Sequence, residues 1–161
     1  MSGIINQTGA RSGVIGTISS PPATAITYEQ GTWTPSLQDD DSAFQHGTQL
    51  GFYTRIGNRV FCNAHCVLTG NTGVTNGDPN RILGLPFTSS SVASSEGGGS
   101  VYFGDGLGLD TSGQNLVISV DNDSARCRVQ VWRVTTGTSI LQCVNFSADG
   151  NFRFEFQYII D

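Results

Sequence analysis

The clearest pattern in the chain is an alternation of apolar and polar side chains near its C-terminal end. The apolar residues are Phe152, Phe154, Phe156, Tyr158 and Ile160, and the polar residues between them are Arg153, Glu155 and Gln157. Successive side chains of a strand point to opposite faces, so this period of two predicts a β-strand. Its aromatic face needs a deep apolar partner and is expected to lie in a core.

A second alternating stretch predicts a hairpin. The segments 50–56 and 59–69 flank Gly57-Asn58, a pair that is typical of a two-residue turn. In the second segment one face carries only small or apolar side chains, namely Val60, Cys62, Ala64, Cys66 and Leu68. We expect this face to lie in the core as well.

Further short apolar stretches are separated by turn-forming residues. They cover 32–37, 81–85, 101–103, 116–120, 127–134 and 139–146, with clusters of Asp, Asn, Ser and Gly between most of them. The segment 88–100 contains Gly97, Gly98 and Gly99 and is expected to form a flexible loop. About nine strands without a convincing helix predict an all-β fold, an antiparallel β-sandwich of jelly-roll type that spans residues 28–161.

Residues 1–27 differ from the rest of the chain. They are rich in Gly, Ser, Thr and Ala, contain Pro21-Pro22, and show no sustained alternation. Apolar side chains nevertheless recur among the small residues, at Ile4, Ile5, Val14, Ile15 and Ile18. We therefore expect an extended N-terminal arm that attaches the body to another surface. The alternative is a disordered terminus.

Composition supports the strand assignment and narrows the choice of partners. Charged residues make up 13% of the chain, Gly accounts for 21 residues, and Lys does not occur. With a formal net charge of −5, the chain has no basic patch that could neutralise phosphates, so we expect no nucleic acid partner. No apolar run approaches the ~20 residues that cross a bilayer, and the start does not resemble a signal peptide. We therefore expect no membrane partner and synthesis in the cytoplasm.

Cys62, His65 and Cys66 form the cluster that most resembles a metal site. In a strand the two cysteine Cα atoms lie ~13 Å apart and His65 points to the opposite face, so one ion cannot bind all three. The acidic runs 39–41 and 121–123 lack the terminal Glu of a specific calcium loop and are expected to form turns. We expect no metal and no cofactor.

The remaining cysteines raise the question of a disulfide. Cys127 and Cys143 lie on neighbouring predicted strands and could pair. Synthesis in a reducing compartment favours free thiols, while oxidation after release from the cell stays open.

The sequence shows no arrangement that is typical of catalysis. It contains neither a Gly-x-Ser-x-Gly nucleophile motif nor a Gly-Lys phosphate loop. His46 and His65 have no partner that the sequence reveals. Polysaccharide hydrolysis needs two carboxylates ~5 to 9.5 Å apart, and it stays open as an alternative. We expect no catalytic residues and no enzymatic activity.

Aromatic residues are the best candidates for a surface that binds sugar rings or another subunit. The candidates are Trp33, Tyr53, Tyr102 and Trp132. Trp132 falls on the strand face opposite Val129 and Val131, which predicts that it is exposed or buried in an interface. Trp33 fits a core position equally well.

The first half of the predicted body resembles a module of fibre and other structural proteins of tailed bacteriophages. The motifs are YEQGTWTP at 28–35, GFYTRIGNRV at 51–60 and ILGLPFT at 82–88, and the leader from Ser2 to Thr17 is similar to one that precedes this module in small virion proteins. The resemblance implies a structural part of the virion, usually trimeric, that is displayed on the particle after synthesis in the host cytoplasm. It implies no catalytic residues.

These observations together predict a non-catalytic virion protein. We expect a homotrimeric surface appendage, either a capsid decoration or fibre or a component of a tail fibre, anchored by its arm to other virion proteins. The alternative is a receptor- or glycan-binding tip of a tail fibre, which would bind a glycan of the host surface. A tailspike-type polysaccharide hydrolase is the third possibility.

Overall fold

Ten antiparallel strands form one continuous sheet in the computed structural model, which describes residues 26–92, 96–109, 114–133 and 137–161. In chain order the strands are β1 (Tyr28–Trp33), β2 (Ser36–Gln38), β3 (Gln45–Ile56), β4 (Arg59–Gly70), β5 (Arg81–Leu83), β6 (Gly98–Leu107), β7 (Asn115–Val120), β8 (Arg126–Arg133), β9 (Gly137–Ile140) and β10 (Phe146–Ile159). A 3₁₀ turn at Cys143–Asn145 precedes the last strand. No helix among these residues has the length and apolar character needed to cross a membrane.

The sheet curls until its two edges meet. The strand order is β1-β3-β4-β10-β6-β7-β8-β5-β2, and β9 pairs with β8 beside this path. Strands β1 and β2 lie at opposite ends of the path, yet only Thr34 and Pro35 separate them in the chain. A link of this length spans at most about 11 Å, and the edge strands β1 and β2 must therefore lie side by side.

The all-β prediction is confirmed, whereas a jelly-roll sandwich is not. A sandwich would require two separate sheets, but β10 pairs with β4 on one side and with β6 on the other. This double pairing joins the described strands into one path. The predicted N-terminal arm, including its apolar positions from Ile4 to Ile18, lies outside the described residues except for 26–27.

The core is organised by the aromatic side of β10. The rings of Phe152, Phe154, Phe156 and Tyr158 stack along the strand with centroids 5.7 to 6.0 Å apart and planes inclined by 19°. The predicted face of β4 lies next to this stack, and all five of its residues are buried. The indole of Trp33 meets the rings of Phe154 and Phe156 edge to face. The predicted core faces of both strands are therefore confirmed.

The glycine run at 97–99 is not the flexible loop that the composition predicts. Gly98 and Gly99 begin strand β6, which pairs with β10 and with β7. A Cβ atom on Gly99 would lie 1.8 Å from the carbonyl oxygen of Glu155, and one on Gly97 would lie 1.9 Å from that of Gln157. Glycine is needed here because the two backbones approach too closely for a side chain.

Two side chains of β3 close the seam between the sheet edges. The Nε2 amide of Gln49 donates to the carbonyl oxygen of Pro35 at 2.9 Å. The backbone N–H of Leu37 donates to Nε2 of His46 at 3.0 Å. These bonds satisfy backbone groups at the point where the ladder is interrupted, and the second requires an unprotonated Nε2.

We predict that Phe154→Ala lowers the free energy of unfolding by about 3 to 5 kcal/mol, because it removes a buried ring from the middle of the aromatic stack. Phe61→Ala is the matched control, since the Phe61 ring is 42% exposed on the opposite face of the sheet. We expect this variant to lose less than about 1 kcal/mol. Urea unfolding followed by tryptophan fluorescence measures both, and equal losses would contradict the assignment of faces.

We also predict that the seam is sensitive to acid. Burial lowers the pKa of His46 below its ordinary value of 6.5, so the unfolded chain binds this proton at a higher pH than the folded chain. The contribution of His46 to the free energy of unfolding should be fully present above pH 6.5. It should decrease as the pH falls from 6.5 to the pKa of His46 in the folded chain, and it should stay constant at lower pH.

His46→Gln is the control for this prediction, because a glutamine oxygen can accept the Leu37 N–H without titrating. Unfolding free energies between about pH 5 and 7.5 should show the loss in the parent chain and a smaller loss in the variant. The other histidine, His65, is present in both. Parallel pH profiles would show that His46 is not the titrating group.

Candidate functional site

A groove of about 670 Å³ crosses the outer face of the sheet. It lies over four neighbouring strands, β3, β4, β10 and β6, at the level of residues 52–54, 61–63, 155–157 and 98–100. The buried aromatic stack occupies the other face of β10. Alternation along the strands therefore places this groove directly behind the core.

Strand register assembles the groove from two rows of outward-facing residues. One row is Thr54, Phe61, Gln157 and Gly98, and the next is Phe52, Asn63, Glu155 and Ser100. Directly opposed residues of neighbouring strands have Cβ atoms about 4.5 to 5.5 Å apart, so each row is a continuous line of contacts. The rows bring together parts of the chain that are about a hundred residues apart.

The two sides of the groove differ in height and chemistry. The rings of Phe52 and Phe61 stand on the β3 and β4 side, and they are 50% and 42% exposed. Gly98 and Ser100 carry little or no side chain and leave the β6 side low. Exposed amide and carboxylate groups lie between these sides, on Asn63, Glu155 and Gln157.

This combination of groups suits a ligand that is apolar on its faces and polar at its edges. Phenylalanine rings offer flat apolar surface, while the amides and the carboxylate donate and accept hydrogen bonds. A pyranose ring has this character, with C–H groups on its faces and hydroxyl groups around its rim. The groove can therefore bind a saccharide by stacking and by hydrogen bonds.

A smaller pocket of about 180 Å³ continues the groove toward the end of β10. It shares Gly98 and Gln157 with the main groove and adds Arg59 and Glu96. The Nη1 group of Arg59 donates to Oε1 of Gln157 at 3.1 Å. The continuous surface thus carries charge of both signs at this end.

The structure separates the four aromatic residues that the sequence suggested for this surface. Trp33 is a correction, because it is 6% exposed, packs in the core, and donates its Nε1–H to the carbonyl oxygen of Asn63 at 3.2 Å. Tyr53 is among the residues that line the groove, and its ring packs against the core; its hydroxyl donates to Glu29 at 2.6 Å, a bond that raises the pKa of Tyr53. Tyr102 and Trp132 are exposed but lie outside the groove.

The groove aromatics, Phe52 and Phe61, were missed by the sequence analysis. Both lie on the polar face of the predicted hairpin, opposite the small apolar face of β4. The sequence did contain a signal for them, because alternation assigns each of these large aromatic residues to a position that faces solvent.

The cysteine and histidine cluster is divided between the two faces of β4, as alternation predicts. Cys62 and Cys66 are buried, and burial raises the pKa of each thiol to about 12. The Nε2 atom of His65 lies 2.9 Å from Oδ1 of Asn151 on the outer face. The four cysteines are free thiols in this structure, including Cys127 and Cys143.

The acidic runs have structural contacts. The buried carboxylate of Asp39 accepts the backbone N–H groups of Thr75, Asp41 and Ser42 at 2.5 to 2.8 Å, and the bond from Thr75 contributes most to lowering its pKa. Within the described parts of the chain, no group of three or more His, Cys, Asp or Glu side chains could hold a metal ion. In the second run, Asp121 pairs with Arg126 and Arg128.

Comparison with known proteins finds relatives among phage appendages. A capsule KN4-specific depolymerase of Klebsiella phage K64-1 is 28% identical over 137 residues, which are 83% of this chain and 17% of the depolymerase. The crystal structure of the Dettilon tailspike protein shares the fold with a TM-score of 0.69 at 15% identity, over 82% of this chain and 24% of that one. No family model matches. The chain thus spans a quarter or less of the length of either protein.

These similarities decide two of the predictions. The predicted relationship to virion proteins of tailed bacteriophages is confirmed. The prediction that the chain has no enzymatic activity is contradicted, because the similar curated protein is a depolymerase. A capsid location and a homotrimeric state are not confirmed.

Proposed function

We propose that this tailed-phage virion tail protein binds a capsular polysaccharide of the bacterial host in the groove on the outer face of its sheet. The observation that carries the proposal is the pair of exposed rings, Phe52 and Phe61, beside the amide and carboxylate groups of Asn63, Glu155 and Gln157. Exposed aromatic rings beside a row of hydrogen-bonding groups are typical of a ligand-binding surface.

The size of the groove fits this ligand. Ligand pockets typically measure about 300 to 1,000 Å³, and about 670 Å³ leaves room for several sugar rings. The groove is an open surface that a long polymer can enter from the side. The name of the similar depolymerase specifies a capsule, which supports a capsular polysaccharide as the ligand class.

We propose further that the chain works as part of a homotrimeric tail appendage and that residues 1–27 attach it to other virion proteins. Large apolar side chains are exposed away from the groove, among them Tyr102 and Val144. Contact between subunits would remove such side chains from water. In this arrangement the arm supplies attachment and the body supplies recognition.

The test is binding of the purified full chain to purified capsular polysaccharides from a panel of Klebsiella strains, followed by calorimetry on the polysaccharide that binds. Phe52→Ala and Phe61→Ala are each expected to weaken binding about tenfold, because each removes a stacking surface worth about 1 kcal/mol or more. Trp132→Ala is the control, since it removes an exposed ring outside the groove.

The groove assignment is wrong if both phenylalanine variants bind like the parent chain. The Trp132→Ala variant should keep its affinity, and gel filtration should show that all three variants retain the size of the parent. Failure of every polysaccharide in the panel to bind would contradict the proposed function.

Hydrolysis of the bound polysaccharide is a second candidate function, and the similarity to a depolymerase favours it. Glu155 lines the main groove and Glu96 lines the continuing pocket. Glu155 pairs with Ser100, and Glu96 precedes Ser100 by four residues, so the two Cα atoms lie about 13 Å apart along the strand. Inverting hydrolases hold their two carboxyl groups about 6.5 to 9.5 Å apart, so this pair would act only if the two side chains turn toward each other.

If this pair is catalytic, the chain releases reducing ends from the polysaccharide, and both Glu155→Gln and Glu96→Gln lower the rate about a hundredfold or more. Binding should persist in both variants. Asp149→Asn is the control, because Asp149 is exposed outside the groove and hydrogen-bonds Ser147. Release at the parent rate by both glutamine variants would exclude this pair.

A further inference from the structure

The arginines of the chain divide into two groups by their partners. Of the arginine side chains that the structure describes, four lie in ion pairs with carboxylates, namely Arg55, Arg81, Arg126 and Arg128. Arg59 and Arg153 have no described carboxylate within ion-pair distance. In a chain with 13 acidic and 8 basic residues, acidic partners are plentiful, so two unpaired cations need an explanation.

Both of these arginines lie on the outer face of the sheet. Arg59 lines the small pocket that continues the groove, and Arg153 lies one outward position beyond Glu155, outside the residues that line the groove. Arg59 pairs with Ile159, and Arg153 pairs with His65 and with Phe103. Glu155 and Gln157 stand between these two levels on β10. Six residues of strand separate the levels, so the arginines lie about 20 Å apart along the outer face.

Arg153 is held in a geometry suited to an anion. Its guanidinium carbon lies 5.2 Å from the centroid of the Phe103 ring, in a cation–π contact that orients the group. A cation–π contact does not use the N–H groups of the guanidinium as hydrogen-bond donors, and these groups match the two oxygens of a carboxylate. Arg59 is less free, since one N–H group is bonded to Gln157.

The acidic residues of the groove determine where an anionic ligand can carry its charges. Glu155 lies in the middle and Glu96 lies in the small pocket beside Arg59. A negative group placed over Glu155 would be repelled, whereas the same group over Arg153 would be attracted. The outer face therefore favours uncharged sugar rings over Glu155 and an acidic group over Arg153.

Building on the proposed function, we infer that the ligand is an acidic polysaccharide and that Arg153 binds a carboxylate of one of its sugars. The rings of Phe52 and Phe61 stack on neutral sugars beside this acidic sugar. Arg153 is then the residue that distinguishes acidic from neutral polysaccharides.

The experiment uses the polysaccharide from the panel that binds the parent chain. Its carboxylates are converted to hydroxymethyl groups by carbodiimide activation and borohydride reduction. We expect this treatment to weaken binding to the parent chain by roughly 10- to 100-fold, the range of a charge-assisted hydrogen bond. Arg153→Gln should weaken binding of the native polymer by a similar factor, and Arg59→Gln by less.

Testing both proteins against both polymers distinguishes a direct contact between Arg153 and a carboxylate from a general loss of affinity. Arg153→Gln should bind the native and the reduced polymer almost equally, because the variant and the chemical reduction remove the two halves of one interaction. Arg153→Lys should recover part of the affinity, since lysine keeps the positive charge but cannot donate two parallel hydrogen bonds to a carboxylate as arginine does. Arg81→Gln is the control for the loss of one positive charge, because Arg81 is paired with Asp40 outside the groove.

Three results would overturn the inference. The first is equal binding of native and reduced polymer by the parent chain, and the second is unchanged affinity in Arg153→Gln. The third is a loss that follows removal of phosphate or sulfate esters and not carboxyl reduction. In each case binding that still depends on Phe52 and Phe61 leaves the proposed function intact, whereas absence of all polysaccharide binding contradicts both.

Discussion

The pairing of β10 with both β4 and β6 is the interaction on which the rest of this structure depends. It joins the strands of the two halves of the body into one curled sheet, and it fixes the level at which their outward residues meet. The same strand carries the stacked rings of the core on one side and Glu155 and Gln157 on the other. The core and the groove therefore lie on opposite faces of one strand.

Close approach of backbones makes this arrangement possible. Gly97 and Gly99 let the start of β6 lie against β10 where any Cβ atom would collide with a carbonyl oxygen. Gly98, between them, leaves the outer side of the same segment low and open. The composition of the run 97–99 suggests flexibility. The close contact with β10 instead makes Gly97 and Gly99 positions where no larger residue fits.

The charges exposed on the outer face depend on which arginines form ion pairs with carboxylates elsewhere in the structure. Arg55, Arg81, Arg126 and Arg128 are used in ion pairs that stabilise turns and neighbouring strands. Arg59 and Arg153, which have no carboxylate of the described residues within ion-pair distance, lie on either side of Glu155 along the outer face. The chain corresponds in length to only a part of the similar depolymerase and tailspike.

Alternation along the sequence was sufficient to predict the strands, the hairpin at Gly57-Asn58 and the core faces of β4 and β10, because side-chain direction within a strand is a local property. It also assigned Trp132 to the outside, but it left Trp33 undecided, since that position depends on where β1 packs. Which outward residues meet is not local, because strand order and register bring Phe52, Phe61, Gly98 and Glu155 together across about a hundred residues. The tertiary structure alone therefore decided that the sheet is one curled path and that two exposed phenylalanines line a groove together with Glu155 and Gln157.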